Sequence, residues 1–353
     1  MWAGFAAYLG AIAAAPALGR RVVWAAIVLA VTAFAVAPVL LSHDVYSYVD
    51  YARLGVVHGL DPYVHPPLAA PSDPAFAAVD WTEATSAYGP LFTLLTYPLA
   101  WLPVDVAVAA LKGIAALSVL GLAAVVARLA AWRGIDPLRA AAFVALNPLV
   151  LVHVVGGAHN DGLTMLLAML GVAALLSARE LSAGAALVAA GAIKASALFI
   201  APFALLGARR PLGRFLLGGT LAVAVVGVAA YVGFGWDWLN AFGLAGENQG
   251  RTSYMSIPVT AARLTGLDPD AVRVVALVLF FTLAFKLLAW TWRGGDWVRA
   301  AAWTAAGLLL ATTWLLPWYL IWLLPLAAIS RDRPLRLLTL GLTAYQLGAR
   351  IPL

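Results

Sequence analysis

The feature that most constrains this chain is a series of long apolar segments that carry almost no charge. Residues 104–131, for example, contain only Asp105, Lys112 and Arg128 as charged side chains. Of the 353 residues, 64% are hydrophobic and 11% are charged, whereas soluble domains carry roughly 25% charged residues. A soluble fold of this size cannot bury so much apolar surface. Because lipid requires backbone hydrogen bonds to be satisfied within the protein, we predict an all-α polytopic membrane protein.

Turns and charged residues divide the chain into apolar segments. From their number and length we predict a single membrane domain over 1–353 with about 10–12 membrane segments. Two connections are long and polar, at 42–89 and 236–269, and the others are short hairpins. The chain has no cysteine, which excludes disulfides. No charged region precedes the first apolar run, so no cleavable signal peptide is predicted. The predicted apolar segments are 2–18, 22–41, 90–102, 104–131, 138–155, 159–178, 181–208, 212–235, 270–292, 297–315, 317–330 and 335–350.

The basic residues at segment ends predict the orientation, because cytoplasmic loops of membrane proteins are rich in arginine and lysine. The same preference explains the net charge of +6 without a nucleic-acid partner. The basic residues at the segment ends all lie on one side of the membrane if two of the segments do not cross it. Residues 90–102, too short to cross a hydrocarbon core of about 30 Å, must enter from outside, and 181–208 must break near Lys194 and return. Both long loops then lie outside, with "GGAHND" (156–161) and "PWY" (317–319). The residues predicted to be cytoplasmic are Arg20, Arg21, Arg128, Arg133, Arg139, Arg179, Arg209, Arg210, Arg214, Arg293, Arg299, Arg331, Arg333 and Arg336.

The first long loop begins within "LLSHDVYSYVDYARLG" (40–55), a polar stretch that directly follows an apolar segment. Helical spacing of its apolar residues predicts an amphipathic helix over 44–57 that lies along the membrane interface with its polar face outward. Asp44 is either a general base or, like Ser42, an N-cap of that helix. His43 either tunes the pKa of Asp44 or faces water.

Further polar side chains lie at or within the ends of apolar segments. His159, Asn160 and Asp161 either cap the following helix or orient substrate hydroxyls, and two adjacent ligands are weak grounds for a metal site. Lys194 lies in the middle of an apolar segment, where a charge costs roughly 2.5–3.5 kcal/mol on insertion scales. We therefore predict that Lys194 faces a cavity and an anion. Arg251, in the second long loop, is either solvated or a contact to sugar or phosphate.

The stretch "WLLPWYLIWLLP" (314–325) is rich in tryptophan. Anchoring at the membrane interface explains such a pattern, and the alternative is that Trp318 and Tyr319 stack on a sugar face. No phosphate loop or dinucleotide-binding motif with a strand and helix around it occurs in the sequence. A soluble nucleotide-sugar site is therefore not predicted.

Five stretches in this order resemble the GT-C superfamily of membrane glycosyltransferases: "SHDVYSYVDYARLGVVHGLDPYVHPP", "SAYGPLFTLLTYPLAWL", "NPLVLVHVVGGAHNDGLTMLLAML", "GAIKASALFIAPFALL" and "LLPWYLIWLLPLA". The resemblance extends from about Val36 to Ala328. Within the superfamily, the chain is similar to the bacterial polyprenyl-phosphate-mannose-dependent mannosyltransferases of lipoglycan synthesis, although it is short for them. The resemblance implies a GT-C-like helical bundle in the plasma membrane, with an extracytoplasmic active site.

For such an enzyme the resemblance implies transfer of a sugar, here mannose, from a polyprenyl-phosphate donor to a glycan or glycolipid acceptor. The reaction would invert the anomeric centre and would need no nucleotide, cofactor or metal. Asp44 matches the family's aspartate in the first external loop and would be the general base. The leaving phosphate needs fixed positive charge, for which we consider Lys194 first, Arg251 second and Arg53 third. The residues expected to contact sugar or acceptor are His43, Tyr46, Tyr48, Tyr88, His159, Asn160, Asp161, Trp318 and Tyr319.

Two other classes of protein share some of these features. A transporter or flippase for a lipid-linked or anionic substrate would also carry a charged residue such as Lys194 in a broken membrane helix. Such proteins usually contain inverted repeats, and the sequence has none that we detect. A polymerase or ligase of surface polysaccharide would use similar donors. These classes differ mainly in whether Asp44 is chemically essential.

Overall fold

The computed structural model describes residues 2–208, 212–248 and 250–348, with the side chains of Ala245 and Asn248 left out, so Arg209 and Arg210 lie outside the described residues. Within these ranges every regular element is helical and no strand occurs, which confirms the all-α prediction. The α-helices are α1 (Trp2–Ala14), α2 (Arg20–Val36), α3 (Asp44–Val56), α4 (Pro90–Thr96), α5 (Val104–Trp132), α6 (Pro137–Ala145), α7 (Asp161–Leu176), α8 (Glu180–Ile193), α9 (Ala201–Gly207), α10 (Leu212–Phe234), α11 (Asn240–Asn248), α12 (Ile257–Thr265), α13 (Pro269–Trp292), α14 (Trp297–Ala311), α15 (Leu324–Ile329) and α16 (Arg333–Gly348).

Short helical segments of other types connect several of these helices. A π-helix precedes the "GGAHND" turn, and π-helical turns are frequent near functional sites. The 3-10 segments are Pro67–Ala69, Phe76–Ala78, Tyr97–Trp101, Ala195–Ile200, Asp237–Leu239 and Pro317–Trp322, and the π-helix is Val150–Val155.

Three helices, α5, α10 and α13, are long and apolar enough to cross a membrane. The 29 residues of α5, at a rise of 1.5 Å each, make it about 43 Å long. α10 and α13 carry many exposed apolar side chains, such as Val232 and Phe285, as expected of helices that face lipid. Other apolar helices have 10–17 residues, fewer than the roughly 20 that a full crossing takes. The chain is therefore a helical membrane protein, and the number of crossings stays a prediction.

The predicted break at Lys194 is present. α8 ends just before Lys194, whose backbone is extended (φ −154°, ψ 121°). The chain then folds back, since the side chain of Leu198 packs directly on Gly191. Leu181, at the start of α8, touches Gly218 near the start of α10, which follows α9 closely. The two halves of the broken segment therefore return to the side on which the segment began, as predicted.

The helix predicted for the first long loop is present as α3, but the prediction that its polar face points outward is wrong. Polar residues such as Ser47 and Asp50 are buried, while its position along the membrane interface stays a prediction. The 3-10 segments Pro67–Ala69 and Phe76–Ala78 pack against α3. Periodicity identifies the apolar face of a helix, and it contains no information on a loop that later folds over the polar face.

The charged side chains collect at two ends of the bundle that α5 connects. Near one end, Lys112 donates to the backbone carbonyl of Pro38 (3.1 Å), just before Asp44. At the other end, Arg133 forms an ion pair with Asp296. We call this second group the arginine end. Its residues are Arg133, Asp296, Arg299, Arg331 and Asp332.

Candidate active site

Two strained turns place the most polar residues of the site. Leu41 and Ala158 adopt left-handed backbone conformations, with φ of 61° and 55°. Such a conformation costs roughly 1–2 kcal/mol for an L-residue, and strain of this kind is concentrated at functional sites. The turns direct the segments that follow them toward each other. Asp44 Oδ2 consequently lies 3.6 Å from His159 Nδ1.

Asp44 opens α3, yet its carboxylate does not cap the helix. His43 occupies the N-cap position without a side-chain hydrogen bond, and Ser42 Oγ accepts only a long bond from the Asp44 amide (3.4 Å). The carboxylate instead accepts a hydrogen bond from Trp81 Nε1 (3.1 Å). Burial raises the pKa of Asp44, while the Trp81 bond and the charge of Lys194 oppose the increase. A carboxylate with a raised pKa is a stronger proton acceptor.

Lys194 lines the same pocket, as predicted for a charge facing a cavity, but its closest anion belongs to the chain itself. Its ammonium group donates to both carboxylate oxygens of Asp161, at 2.8 and 3.0 Å. It also lies 5.4 Å and 5.8 Å from the ring centres of Tyr319 and Trp322. Trp322 Nε1 donates to the fully buried Asp161 at 2.7 Å. The break after α8 therefore presents Lys194 as one half of a buried ion pair.

Arg251 brings the second long loop to the first. Its guanidinium carbon lies 5.0 Å from the ring centre of Trp81 and 4.7 Å from that of Trp314. Such contacts hold a guanidinium in place while leaving its N–H groups available. Within the described residues Arg251 has no carboxylate partner within ion-pair distance. The site therefore contains a cation that no anion of the described chain neutralises.

These residues surround a pocket of about 380 Å³, the size expected of a small-molecule site. Two cations, Lys194 and Arg251, line the pocket with the carboxylate of Asp44, and seven of the lining side chains are aromatic. The residues that line the pocket are Asp44, Ser47, Tyr51, Trp81, Ala84, Thr85, Ala87, Tyr88, Lys194, Ala195, Ser196, Leu244, Arg251, Trp314, Leu316, Trp318, Tyr319 and Trp322.

Other predicted contact residues form a layer behind this pocket. His159 stacks on Trp318 with ring centres 3.8 Å apart, and both are buried. Asn160 is buried too, and its side-chain amide has no hydrogen-bond partner in the described part of the chain. Tyr48 packs edge-on against Tyr88 at 4.8 Å. Of these residues, Tyr88 and Trp318 reach the pocket surface and the others support it.

Three predicted site residues lie elsewhere. Arg53 donates to the buried carboxylate of Asp73 at 2.8 Å and 3.0 Å, so its charge stabilises the loop that covers α3. His43 is half-exposed, bonds to Asp80 at 3.2 Å and does not line the pocket. Tyr46 packs against His43. These side chains share the sequence neighbourhood of Asp44, but the helix turns them away from the pocket.

Several pocket residues were not singled out from the sequence as contact residues. Trp81 is the most important, because it touches both Asp44 and Arg251. A single tryptophan within the polar stretch "VDWTEA" is a signal that could have identified it, since large aromatic side chains in polar loops often serve binding. Tyr51, Ser47 and Ser196 gave no such signal. Among the described residues no group of three acidic or histidine side chains is arranged to hold a metal ion, and the metal-free reaction stays a prediction.

Comparison with known proteins identifies the family to which the chain belongs. Residues 1–210 match the family described as "Alpha-(1->6)-mannopyranosyltransferase, N-terminal domain". The "Alpha-(1->6)-mannopyranosyltransferase A" of Mycobacterium tuberculosis is 32% identical over 341 residues, covering 85% of this chain and 64% of that protein. The protein of the same name from Corynebacterium glutamicum is 30% identical over 169 residues, covering 46% of this chain and 34% of that protein. No solved structure matches the chain significantly.

The chain spans less than two-thirds of the length of these curated relatives. The family match nevertheless covers more than half of the chain, and it includes Asp44, the "GGAHND" turn and Lys194. It agrees with the resemblance that the sequence motifs had indicated. The chain belongs to the alpha-(1->6)-mannopyranosyltransferase family, within the GT-C superfamily of membrane glycosyltransferases.

Proposed function

We propose that the chain transfers mannose from a polyprenyl-phosphate donor to a hydroxyl of a glycan or glycolipid acceptor, with inversion of the anomeric centre. The observation that carries this proposal is the pocket in which the partly buried carboxylate of Asp44 and the guanidinium of Arg251, which has no ion-pair partner among the described residues, face the same space. A general base and a fixed cation are the two groups that such a transfer requires. Membership of the mannosyltransferase family supports the same reaction.

In the proposed reaction Asp44 accepts the proton of the acceptor hydroxyl. The hydroxyl oxygen forms a bond to the anomeric carbon while the bond from that carbon to the phosphate oxygen breaks, and its electron pair leaves with the phosphate. Arg251 stabilises the charge that develops on the phosphate. We place Arg251 before Lys194 in this role, because Lys194 already neutralises Asp161.

The aromatic walls favour a sugar as the ligand between these charged groups. Trp81, Trp314 and Tyr319 present ring surfaces to the pocket, and such rings combine a large apolar area with polar N–H or O–H groups. The C–H face of a hexose would pack on such rings, while its hydroxyls reach Ser47 and Ser196.

We further propose that the pocket opens on the extracytoplasmic side of the plasma membrane. The pocket and the arginine end lie at opposite ends of α7, because Asp161 at its start binds Lys194 of the pocket and Leu176 at its end lies beside Arg133 and Arg331. Basic ends face the cytoplasm. Because the chain lacks cysteine, single cysteines test this orientation. Ser72→Cys, in the first long loop, should react with an impermeant maleimide in intact cells. Ser177→Cys, beyond α7, should react only after permeabilisation. The reverse pattern would place the pocket in the cytoplasm.

The role of Asp44 is tested by Asp44→Asn, which keeps the shape of the side chain and removes its basicity. Transfer of radiolabelled mannose from polyprenyl-phosphate mannose in membranes should fall by at least about 100-fold, the order of a lost general base. Asp80→Asn is the matched control, since it makes the same chemical change in the same loop, on an exposed carboxylate outside the pocket. Equal activity of the two variants would exclude Asp44 as the base.

A further inference from the structure

A second pocket lies at the arginine end, far from the site described above. It has a volume of about 370 Å³, and its lining combines guanidinium groups with apolar side chains. The residues that line it are Trp132, Arg133, Leu176, Asp296 and Arg331. Two arginines and one aspartate give this lining a formal net charge of +1. The proposed mannosyl transfer has no use for it.

The two arginines are held differently. Arg133 is largely neutralised, because it forms an ion pair with Asp296 and donates through Nε to the carbonyl of Ile329. Arg331 donates only through Nε, to the carbonyl of Arg133. Both Nη atoms of Arg331 lack an acceptor in the described part of the chain. They are available to a ligand that enters the pocket.

The Arg331 guanidinium contacts the backbone beneath it. Gly134 follows Arg133 with a left-handed φ of 66°, and a Cβ at this position would lie 2.9 Å from Arg331 Nη2. The guanidinium therefore rests directly on the glycine backbone. Arg331 itself has a left-handed φ of 56°, a strained conformation that surrounding contacts must maintain. Arg331 is exposed to solvent, and its contact with Gly134 and its bond to the carbonyl of Arg133 restrict where the guanidinium lies.

The apolar wall indicates what kind of anion would bind. Trp132 is the last residue of the membrane-length helix α5, and 46% of its surface is exposed. Leu176 ends α7 beside it and is 37% exposed. Tryptophan at the end of a membrane helix lies at the level of the lipid headgroups. A soluble anion would use the arginines and leave this apolar wall in water.

We propose that this pocket binds the phosphodiester headgroup of an anionic phospholipid. The phosphate accepts hydrogen bonds from the two Nη atoms of Arg331, a bidentate geometry that guanidinium groups favour. Its single negative charge balances the net charge of the lining. The acyl chains continue along Trp132 and Leu176 into the bilayer. Basic pockets between membrane helices are known to bind anionic headgroups in this way.

The test is thermal unfolding of the full chain in nanodiscs, because a ligand that binds only the folded state raises the unfolding temperature. Phosphatidylglycerol in a phosphatidylcholine background should stabilise the wild type. Arg331→Gln should weaken phosphatidylglycerol binding about tenfold, the order of one lost charge-assisted contact. Arg331→Lys, which keeps the charge and loses the bidentate geometry, should fall between. Unfolding in phosphatidylcholine alone shows whether each variant is folded.

Arg333→Gln is the matched control, since it removes the same charge from an exposed arginine two residues away that does not line the pocket. An equal loss in this control would mean general surface attraction and would overturn the proposal. Inorganic phosphate and glycerophosphoglycerol, the deacylated headgroup, form the second arm. Stabilisation by either to the extent seen with phosphatidylglycerol would identify a soluble-anion site and also overturn it. Binding of a cytoplasmic polypeptide to Arg331 in place of phosphatidylglycerol would also overturn the proposal.

Discussion

The hydrogen bond from Trp81 to Asp44 should control the pH at which the enzyme becomes active. In Trp81→Phe the ring that packs on Arg251 is kept, while the Nε1–H that donates to Asp44 is lost. A hydrogen bond to a charged group contributes about 1.5–3 kcal/mol. Since 1.36 kcal/mol corresponds to a factor of ten, the ionised fraction of Asp44 should fall about 10- to 100-fold at pH values below its midpoint. Burial already raises the pKa of this carboxyl, and the Trp81 bond opposes that increase.

The assay is initial mannose transfer measured across pH in membranes that contain equal amounts of each protein. With Asp44 as the proposed base, transfer requires its ionised form, so we expect activity to be lost as pH falls. In Trp81→Phe this loss should begin at higher pH, and the difference from the wild type should diminish as pH rises. Trp101→Phe, on a 72% exposed tryptophan outside the pocket, is the control. A constant loss at every pH, with an unchanged midpoint, would refute the idea that Trp81 acts through the charge of Asp44.

Two further predictions concern the cluster beneath the first long loop. Arg53→Met removes the guanidinium from the buried carboxylate of Asp73, which keeps its 2.7 Å hydrogen bond with His58. The loss of stability should therefore be below the roughly 3 kcal/mol of a fully broken buried ion pair. A lower unfolding temperature of Arg53→Met, partly restored in the double variant with Asp73→Asn, would confirm this structural role. A large loss of activity with unchanged stability would instead indicate that Arg53 acts in the active site. Burial and the neighbouring Asp73 raise the pKa of Asp50 to about 7, so folding disfavours its ionised form and stability falls as pH rises toward 7. Asp50→Asn should therefore raise the unfolding temperature more at pH 8 than at pH 5, and an equal effect at both would contradict the shift.

The broken segment shows what the sequence could predict. Lys194 is a charge in the middle of an apolar run, close to glycine and proline, and only a break that places it in a cavity makes that arrangement affordable. Its partner was not predictable. Asp161 lies 33 positions earlier, and nothing local distinguishes pairing with Asp161 from pairing with a ligand. A charge therefore reveals that a partner exists, while the fold determines which one.

In the first long loop the helix could be predicted from the sequence, but its contacts could not. Its helix was predicted within one residue at its end, because apolar spacing is a local property. Three features depend on how residues 57–89 fold back over that helix. They are the burial of the helix, the ion pair between Arg53 and Asp73, and the hydrogen bond from Trp81 to Asp44. Contacts of this kind join residues 20 to 37 positions apart. The periodicity of apolar residues in the sequence does not predict such long-range contacts.

The four charges at the site have a consequence for turnover. The formal charges of Asp44, Asp161, Lys194 and Arg251 sum to zero, although Arg251 forms no ion pair among the described residues. A donor phosphodiester adds one negative charge. In the proposed reaction the charge that disappears when Asp44 is protonated reappears on the departing phosphate, which leaves as a monoester with a second pKa of about 6. The proposed step thus moves one unit of charge toward Arg251 without creating any. In this mechanism the proton on Asp44 would have to leave before the next cycle, which would link deprotonation of the base to release of the lipid phosphate.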